Sequence, residues 1–229
     1  MKRVFVLSLG GSLIVPSQGI NNDFLGEFKS AIKKLSRNNK FVIVCGGGSV
    51  ARVYIDSLRK AGISEYLQSL IGISITRTNA RFVSYFFDRE PDDGIPHDMK
   101  HVDRLLNKND IVFCGALRYA DDQTSDSTAA KLASFLNAEF VNLTNVSGLF
   151  TSDPRKNKNA KLISKISSRD LHKMASSIKF SPGQHFVIDQ KASKIIMNKK
   201  VKTFIIGSDV KNFVNLINGK EFIGTEVTV

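Results

Sequence analysis

Residues 41–54 read Phe-Val-Ile-Val-Cys-Gly-Gly-Gly-Ser-Val-Ala-Arg-Val-Tyr, and they narrow the possible folds more than any other stretch. Phe41, Val42, Ile43 and Val44 follow one another without a polar alternation, which suits a strand buried on both faces of a parallel sheet. Gly46, Gly47 and Gly48 come next, and a helical pattern begins at about Ser49. Glycine lets backbone approach a ligand closely, and the first N–H groups of a helix point outward unpaired. Strand, glycine turn and helix start together form a phosphate-binding element. One glycine would suffice for a tight turn without a ligand. Three in a row, with Arg52 one turn into the helix, favour a bound anion.

The 229 residues are 42% hydrophobic and 24% charged, a balance that places the chain among ordinary globular proteins. No apolar run reaches the length of a membrane span, and residues 1–15 lack a signal-peptide layout, so the expected location is the cytoplasm. Cys45 and Cys114 each close an apolar run beside a glycine. They read as small buried residues in a reducing compartment, with a disulfide as the alternative. The net charge of +12 fits an anionic partner. Its basic residues are spread along helical patterns rather than interleaved with aromatics, and there is no Trp. Small anions are favoured over nucleic acid, and neither a nucleic acid nor a membrane is expected as a partner. The four histidines show no metal-ligand spacing, and no resident metal site is expected.

In chain order, a strand over 4–9 leads into Gly10-Gly11-Ser12, a second glycine turn. Asn22 or Asp23 caps a helix running to Leu35. The strand of residues 41–45 is followed by helices over 49–61 and, as one or two pieces, 66–87. Residues 89–96 read as a loop, 102–106 as a short helix and 110–114 as a third buried strand. Ser125 and Asp126 offer N-cap chemistry for a helix over 128–136. Further strands are expected at 140–143, 186–188 and 203–206, and further helices at 168–176, 191–198 and 210–217. Strands alternating with helices, several closed by glycine, predict a three-layer α/β/α sandwich with a mostly parallel central sheet.

Six segments carry a resemblance: Ser8-Leu-Gly-Gly-Ser-Leu13, Gly46-Gly-Gly-Ser-Val-Ala-Arg-Val-Tyr-Ile55, Ile71-Gly-Ile-Ser-Ile-Thr-Arg-Thr-Asn-Ala80, Thr124-Ser-Asp-Ser-Thr-Ala-Ala130, Thr144-Asn-Val-Ser-Gly-Leu-Phe-Thr-Ser-Asp-Pro154 and Asp189-Gln-Lys-Ala-Ser-Lys-Ile-Ile196. Their order and spacing resemble the amino-acid-kinase superfamily and, within it, the archaeal-type uridylate (UMP) kinases, over the whole chain. The resemblance implies phosphoryl transfer from Mg-ATP to UMP in a homo-oligomer, a hexamer in this family. It also implies two lobes, 1–143 for UMP and 144–229 for ATP. Such chemistry rests on positioning and electrostatic stabilisation of phosphate charge.

The resemblance assigns roles residue by residue. Gly11, Ser12, Gly48 and Arg52 align with contacts to the ATP phosphates, and Thr144, Asn145, Phe150 and Asp153 with the adenine and ribose segment. Gly47, Ser69, Tyr119, Ala120, Asp121, Asp122, Gln123, Thr124 and Ser125 align with the UMP site. Lys194 matches a lysine that neutralises the transferring phosphoryl, and Asp126 an acidic residue that orients the site, unless it is only a helix cap. Arg77 and Asn79 serve either subunit packing or substrate binding. Several positions depart from the family. Ser8 stands where the wider superfamily has a catalytic lysine, as in archaeal-type members. Ser69 replaces an Asp, Ser147 another Asp, and Phe150 a Tyr. Tyr119–Gln123 replaces a loop rich in Gly and His and puts Asp121 and Asp122 beside the expected phosphate. A carboxylate about 5 Å from a phosphate costs roughly 3 kcal/mol at an effective dielectric near 20. Two other readings follow from these departures: a nucleotide- or oxyanion-binding relative without turnover, and a kinase for a different small acceptor.

Overall fold

The structure, a computed structural model, describes residues 2–90, 94–119, 124–177 and 187–229. Its strands are β1 (Arg3–Leu9), β2 (Asn39–Cys45), β3 (Ile111–Cys114), β4 (Glu139–Leu143), β5 (Lys165–Ser167), β6 (Thr203–Ile206) and β7 (Gly224–Thr228). They form one sheet in the order β3-β2-β1-β4-β6-β7-β5, parallel except where β7 runs against β6. The helices are α1 (Gly11–Ile14), α2 (Asn22–Leu35), α3 (Gly48–Lys60), α4 (Glu65–Phe86), α5 (Met99–Lys108), α6 (Ser125–Phe135), α7 (Ser168–Ser176), α8 (Gln190–Lys199) and α9 (Val210–Ile217).

The uninterrupted apolar runs do what a doubly covered strand requires. Phe5, Leu7, Leu9, Phe41, Ile43 and Cys45 enter a core with α2, α4 and α9. Val6, Val42 and Val44 enter a second core with α5, α6, α7 and α8. The sheet is therefore the middle of three layers, as the alternation of elements predicts. Cys45 and Cys114 are free and buried on opposite faces, which removes the disulfide alternative. Burial pushes both thiols up, Cys114 to about 12, so neither is poised to react.

Local chemistry sets the helix starts. Asp98, Thr124, Ser167, Asp189 and Asp209 each accept a backbone N–H from the first turn of the helix that follows. Two expected caps move. Asn21, not Asn22 or Asp23, caps α2. Thr124, not Ser125 or Asp126, caps α6, in a reciprocal capping box with Ser127. That second shift releases the Asp126 side chain from capping. Residues 187 and 188 lie outside any strand, correcting the expected strand at 186–188, whose residue 186 is outside the described residues.

Candidate active site

The parallel strands end together, and β1 sits where the sheet reverses direction, with β2 and β3 to one side and β4 and β6 to the other. In open parallel sheets a ligand crevice forms at that switch, beyond the carboxyl ends of the strands. Here it is a cleft of about 510 Å³. Its walls include all eight residues aligned with ATP contacts: Gly11, Ser12, Gly48, Arg52, Thr144, Asn145, Phe150 and Asp153. Gly47, Ser125 and Asp126 join them.

The two glycine turns pack directly on each other. A Cβ on Gly11 would lie 2.0 Å from the Gly48 nitrogen, and one on Gly48 would lie 2.5 Å from the Gly11 carbonyl oxygen. Gly48 also holds φ at +66°, a left-handed conformation that a side chain disfavours. Close backbone packing, as well as ligand approach, thus accounts for the glycines. Neither α1 nor α3 has a side-chain cap; the Ser49 N–H of α3 goes to the Val15 carbonyl at 3.0 Å and the Leu13 N–H of α1 to the Gly10 carbonyl at 2.8 Å, and no capping side chain stands between the other first-turn N–H groups and the cleft.

The segment Ile71–Ala80 lies in α4 and buttresses these turns. The Asn79 amide donates to the Gly46 carbonyl at 2.7 Å. Thr76 Oγ1 accepts the Ala116 N–H at 2.8 Å, and Arg77 donates to the carbonyls of Ala116 and Leu117. Burial lowers the Arg77 pKa. Arg77 and Asn79 thus both brace loops within this chain. Asn79→Ala leaves a buried carbonyl unpaired, which costs about 1–3 kcal/mol. Urea unfolding should show that loss together with weaker ATP binding; an unchanged midpoint would contradict the bracing role.

Two carboxylates meet here, Asp126 in the cleft wall and Asp189 outside it. Asp126 accepts a hydrogen bond from Ser8 Oγ at 2.6 Å. Its pKa is pushed up to about 7 by burial and by the charge of Asp189, partly offset by the Ser8 hydroxyl. Asp189 is also raised by burial, against hydrogen bonds from the Thr124 hydroxyl and from backbone N–H groups. Asp153 is the opposite case: Arg155 donates to it from its backbone N–H, Nε and Nη2, and these contacts hold its pKa down.

The remaining aligned residues are placed differently. Ser69 is exposed on α4 and is not part of the cleft wall. Tyr119 reaches the first turn of the same helix, its ring edge-on to Tyr66 with centroids 4.8 Å apart. Thr124 lies just behind Ser125. Lys194 is exposed on α8 and does not line the cleft. Ala120, Asp121, Asp122 and Gln123 lie outside the described residues. The wall also contains Asn142, Leu149, Arg155, Met174, Ser177 and Val187, which pattern reading does not single out. Leu149 lies within the quoted segment Thr144–Pro154 and Arg155 just beyond it; Met174 is an ordinary helical position and Ser177 the residue that ends the helix.

Residues 3–207 match the model of the amino acid kinase family. The chain is 34% identical over 220 residues to the uridylate kinase of Methanococcus aeolicus, covering 95% of this chain and 96% of that protein. The crystal structure of uridylate kinase from Archaeoglobus fulgidus superposes with a TM-score of 0.85 at 33% identity, over 100% of both chains. A UMP kinase from Bacillus anthracis shares the fold, with a TM-score of 0.78 at 18% identity over 99% of this chain and 96% of that one. With a conserved architecture from end to end and a family match over nearly the whole length, the chain belongs to the amino acid kinase family and groups there with the archaeal uridylate kinases.

Proposed function

We propose that the protein is a uridylate kinase: an oxygen of the UMP phosphate attacks the γ-phosphorus of ATP, the bond from that phosphorus to the bridging oxygen breaks, and UDP and ADP leave. The observation that carries this reading is the convergence of both glycine turns and all eight donor-side residues on one cleft at the sheet's switch point. The acceptor phosphate, with its second pKa near 6, is already largely dianionic at neutral pH and needs no general base. The protein's work is to position charge and neutralise it. Backbone N–H groups of α1 and α3 and the Arg52 guanidinium supply the positive field toward the phosphates.

Residues 144–229 form the donor lobe in this reading and 1–143 the acceptor lobe, with Gly47, Ser69, Tyr119, Thr124 and Ser125 on the acceptor side. Asp126 orients the groups around the transferring phosphoryl, and Lys194, exposed on α8 outside the cleft wall in this structure, is the residue to which the family resemblance gives the offsetting of its charge. We take Mg2+ as part of the nucleotide substrate, held by phosphate oxygens. Asp126, a carboxylate in the same cleft, fits the hard oxygen ligand that such a cation takes. When bound, the ion shields phosphate charge and orients the oxygens. The reading places the enzyme in the cytoplasm, in pyrimidine nucleotide supply, consistent with two buried free cysteines and with the finding that no described helix is long and apolar enough to cross a membrane.

One observation favours the reading of binding without turnover: Lys194 lies outside the cleft wall. A coupled ADP-release assay with Mg-ATP and UMP, CMP, dTMP, AMP or GMP separates the two. Turnover should be fastest with UMP, and Lys194→Ala should lower kcat about a hundredfold. Nucleotide binding with no turnover for any acceptor would overturn the kinase reading.

The proposal includes a homo-oligomer, a hexamer by family resemblance. Val53 and Tyr54 on α3 are 68% and 51% exposed, and Leu67 on α4 is 47% exposed, an apolar surface that a second copy would cover. Light scattering should give a multiple of the 25.3 kDa chain mass, and Leu67→Lys should shift the distribution toward smaller species. A wild-type monomer would contradict the assembly.

A further inference from the structure

One carboxylate touches the starts of two helices behind the acceptor side of the cleft. Asp189 caps α8, its Oδ1 accepting the Ala192 N–H at 2.8 Å. Its Oδ2 accepts the hydroxyl of Thr124, the cap of α6. The same Thr124 oxygen accepts the Ser127 N–H at 3.1 Å, so its lone pair faces α6 and its hydrogen faces α8. The next two residues of α6, Ser125 and Asp126, line the cleft. The contacts therefore run without a gap from α8 through Asp189 and Thr124 to the cleft wall.

A cap alone does not explain a carboxylate here. Asparagine caps a helix as well as aspartate does. At this place an aspartate carries a penalty, because it is buried beside Asp126 and the two charges repel. What asparagine lacks is a second acceptor. With its one oxygen on the Ala192 N–H, it would turn an NH2 group toward Thr124, whose hydroxyl hydrogen would then have no acceptor. Only a carboxylate accepts from both elements at once.

We propose that Asp189 is a positioning residue for the phosphate acceptor: by accepting from α8 and from Thr124 on one carboxylate, it holds the first turn of α6 in the register in which Thr124 and Ser125 grip the UMP phosphate. The proposal rests on the reading that these two residues face the acceptor. Asp189 touches neither substrate, and its effect falls on UMP rather than ATP, because the donor-side walls at Gly11, Gly48 and Thr144 do not depend on the link.

The test is calorimetric binding of UMP and of ATP, with steady-state KM and kcat alongside, for wild type, Asp189→Asn and Asp189→Ser. Each replacement retains an oxygen able to cap α8; neither carries a second oxygen in the place from which Asp189 Oδ2 accepts from Thr124. Thermal melting checks that each variant folds, and the serine variant serves if the asparagine one does not. Both should weaken UMP binding and raise its KM by about tenfold or more, the loss of one charge-assisted hydrogen bond, while ATP binding stays within about twofold. UMP affinity unchanged in a folded variant, with only the melting temperature moved, would reduce Asp189 to a helix cap and overturn the proposal. Equal losses for UMP and ATP would overturn it as well, by showing a general collapse of the cleft. Wild type that binds ATP but none of the five monophosphates would instead overturn the acceptor reading, and the proposal with it.

Discussion

Gly48→Ala should strongly destabilise the protein and abolish tight ATP binding. The new Cβ would stand 2.5 Å from the Gly11 carbonyl oxygen and 2.8 Å from that of Val15, both backbone atoms that no rotamer change can move aside. Those oxygens also accept the N–H groups of Val15 and Ser49, so shifting them loosens the starts of α1 and α3 together. Left-handed strain of roughly 1–2 kcal/mol adds to about 1–3 kcal/mol of overpacking. The sum, roughly 2–5 kcal/mol before the loosened helix starts are counted, is a large part of the stability of a typical domain, about 5–15 kcal/mol. Gly26→Ala is the control. It sits in α2 with nothing within 4 Å of the added methyl, and it should stabilise the protein by about 0.5–1 kcal/mol. Urea unfolding and ATP calorimetry on both variants read the contrast. A Gly48→Ala protein with the wild-type midpoint and ATP affinity would show that the two turns do not pack as described.

Asp126→Asn should gain stability and lose activity. The Asp126 pKa is about 7 in the folded protein against 3.8 unfolded. Between those values the folded state holds a proton that the unfolded state has released. Stability then falls as pH rises from about 4 to about 7, and the loss is complete above the folded value. Asparagine does not titrate, keeps an acceptor for the Ser8 hydroxyl, and removes the charge that Asp189 opposes. At pH 8 the variant should exceed wild type by about 1–3 kcal/mol, a range set below the full shift because the carboxyl borders the open cleft. Near pH 4 the two should converge. Its kcat should fall by roughly tenfold to a hundredfold, since the neutral amide cannot play a carboxylate's part beside the transferring phosphoryl. Denaturation curves from pH 4 to 8 measure the first effect. Parallel curves for the two proteins would contradict the raised pKa.

The fold was legible wherever apolar pattern and punctuation agreed. Phe41–Val44 reads as a doubly buried strand, and the helix expected over 49–61 is α3, closed by Gly62 at a φ of +71°. Neither β5, at one edge of the sheet, nor β7 beside it was legible. β5 is three residues with one apolar side chain, and β7 reads Gly-Thr-Glu-Val-Thr; both are strands because β6 and β7 offer them partners, a tertiary effect that no local propensity reports. The cap of α6 was misplaced because Thr124, Ser125 and Asp126 are all good capping residues, and Ser127 at the fourth position decides among them. At the site, the donor-side residues were recognisable because glycine turns and strand ends are local features. Asn79 and Asp189 were not interpretable in the same way: each acts on a loop or helix far away in the chain. The glycine triplet carried a second meaning that only the packing of Gly11 on Gly48 reveals.

The most direct test of the account is phosphorus NMR of the wild-type enzyme with Mg-ATP and UMP. The account predicts that the resonances of ATP and UMP decline together while those of UDP and ADP rise in equal amounts, and that the exchange slows sharply in the Asp126→Asn protein. ATP and UMP unchanged in a sample where calorimetry shows both bound would contradict it, and would leave a nucleotide-binding protein on a kinase scaffold.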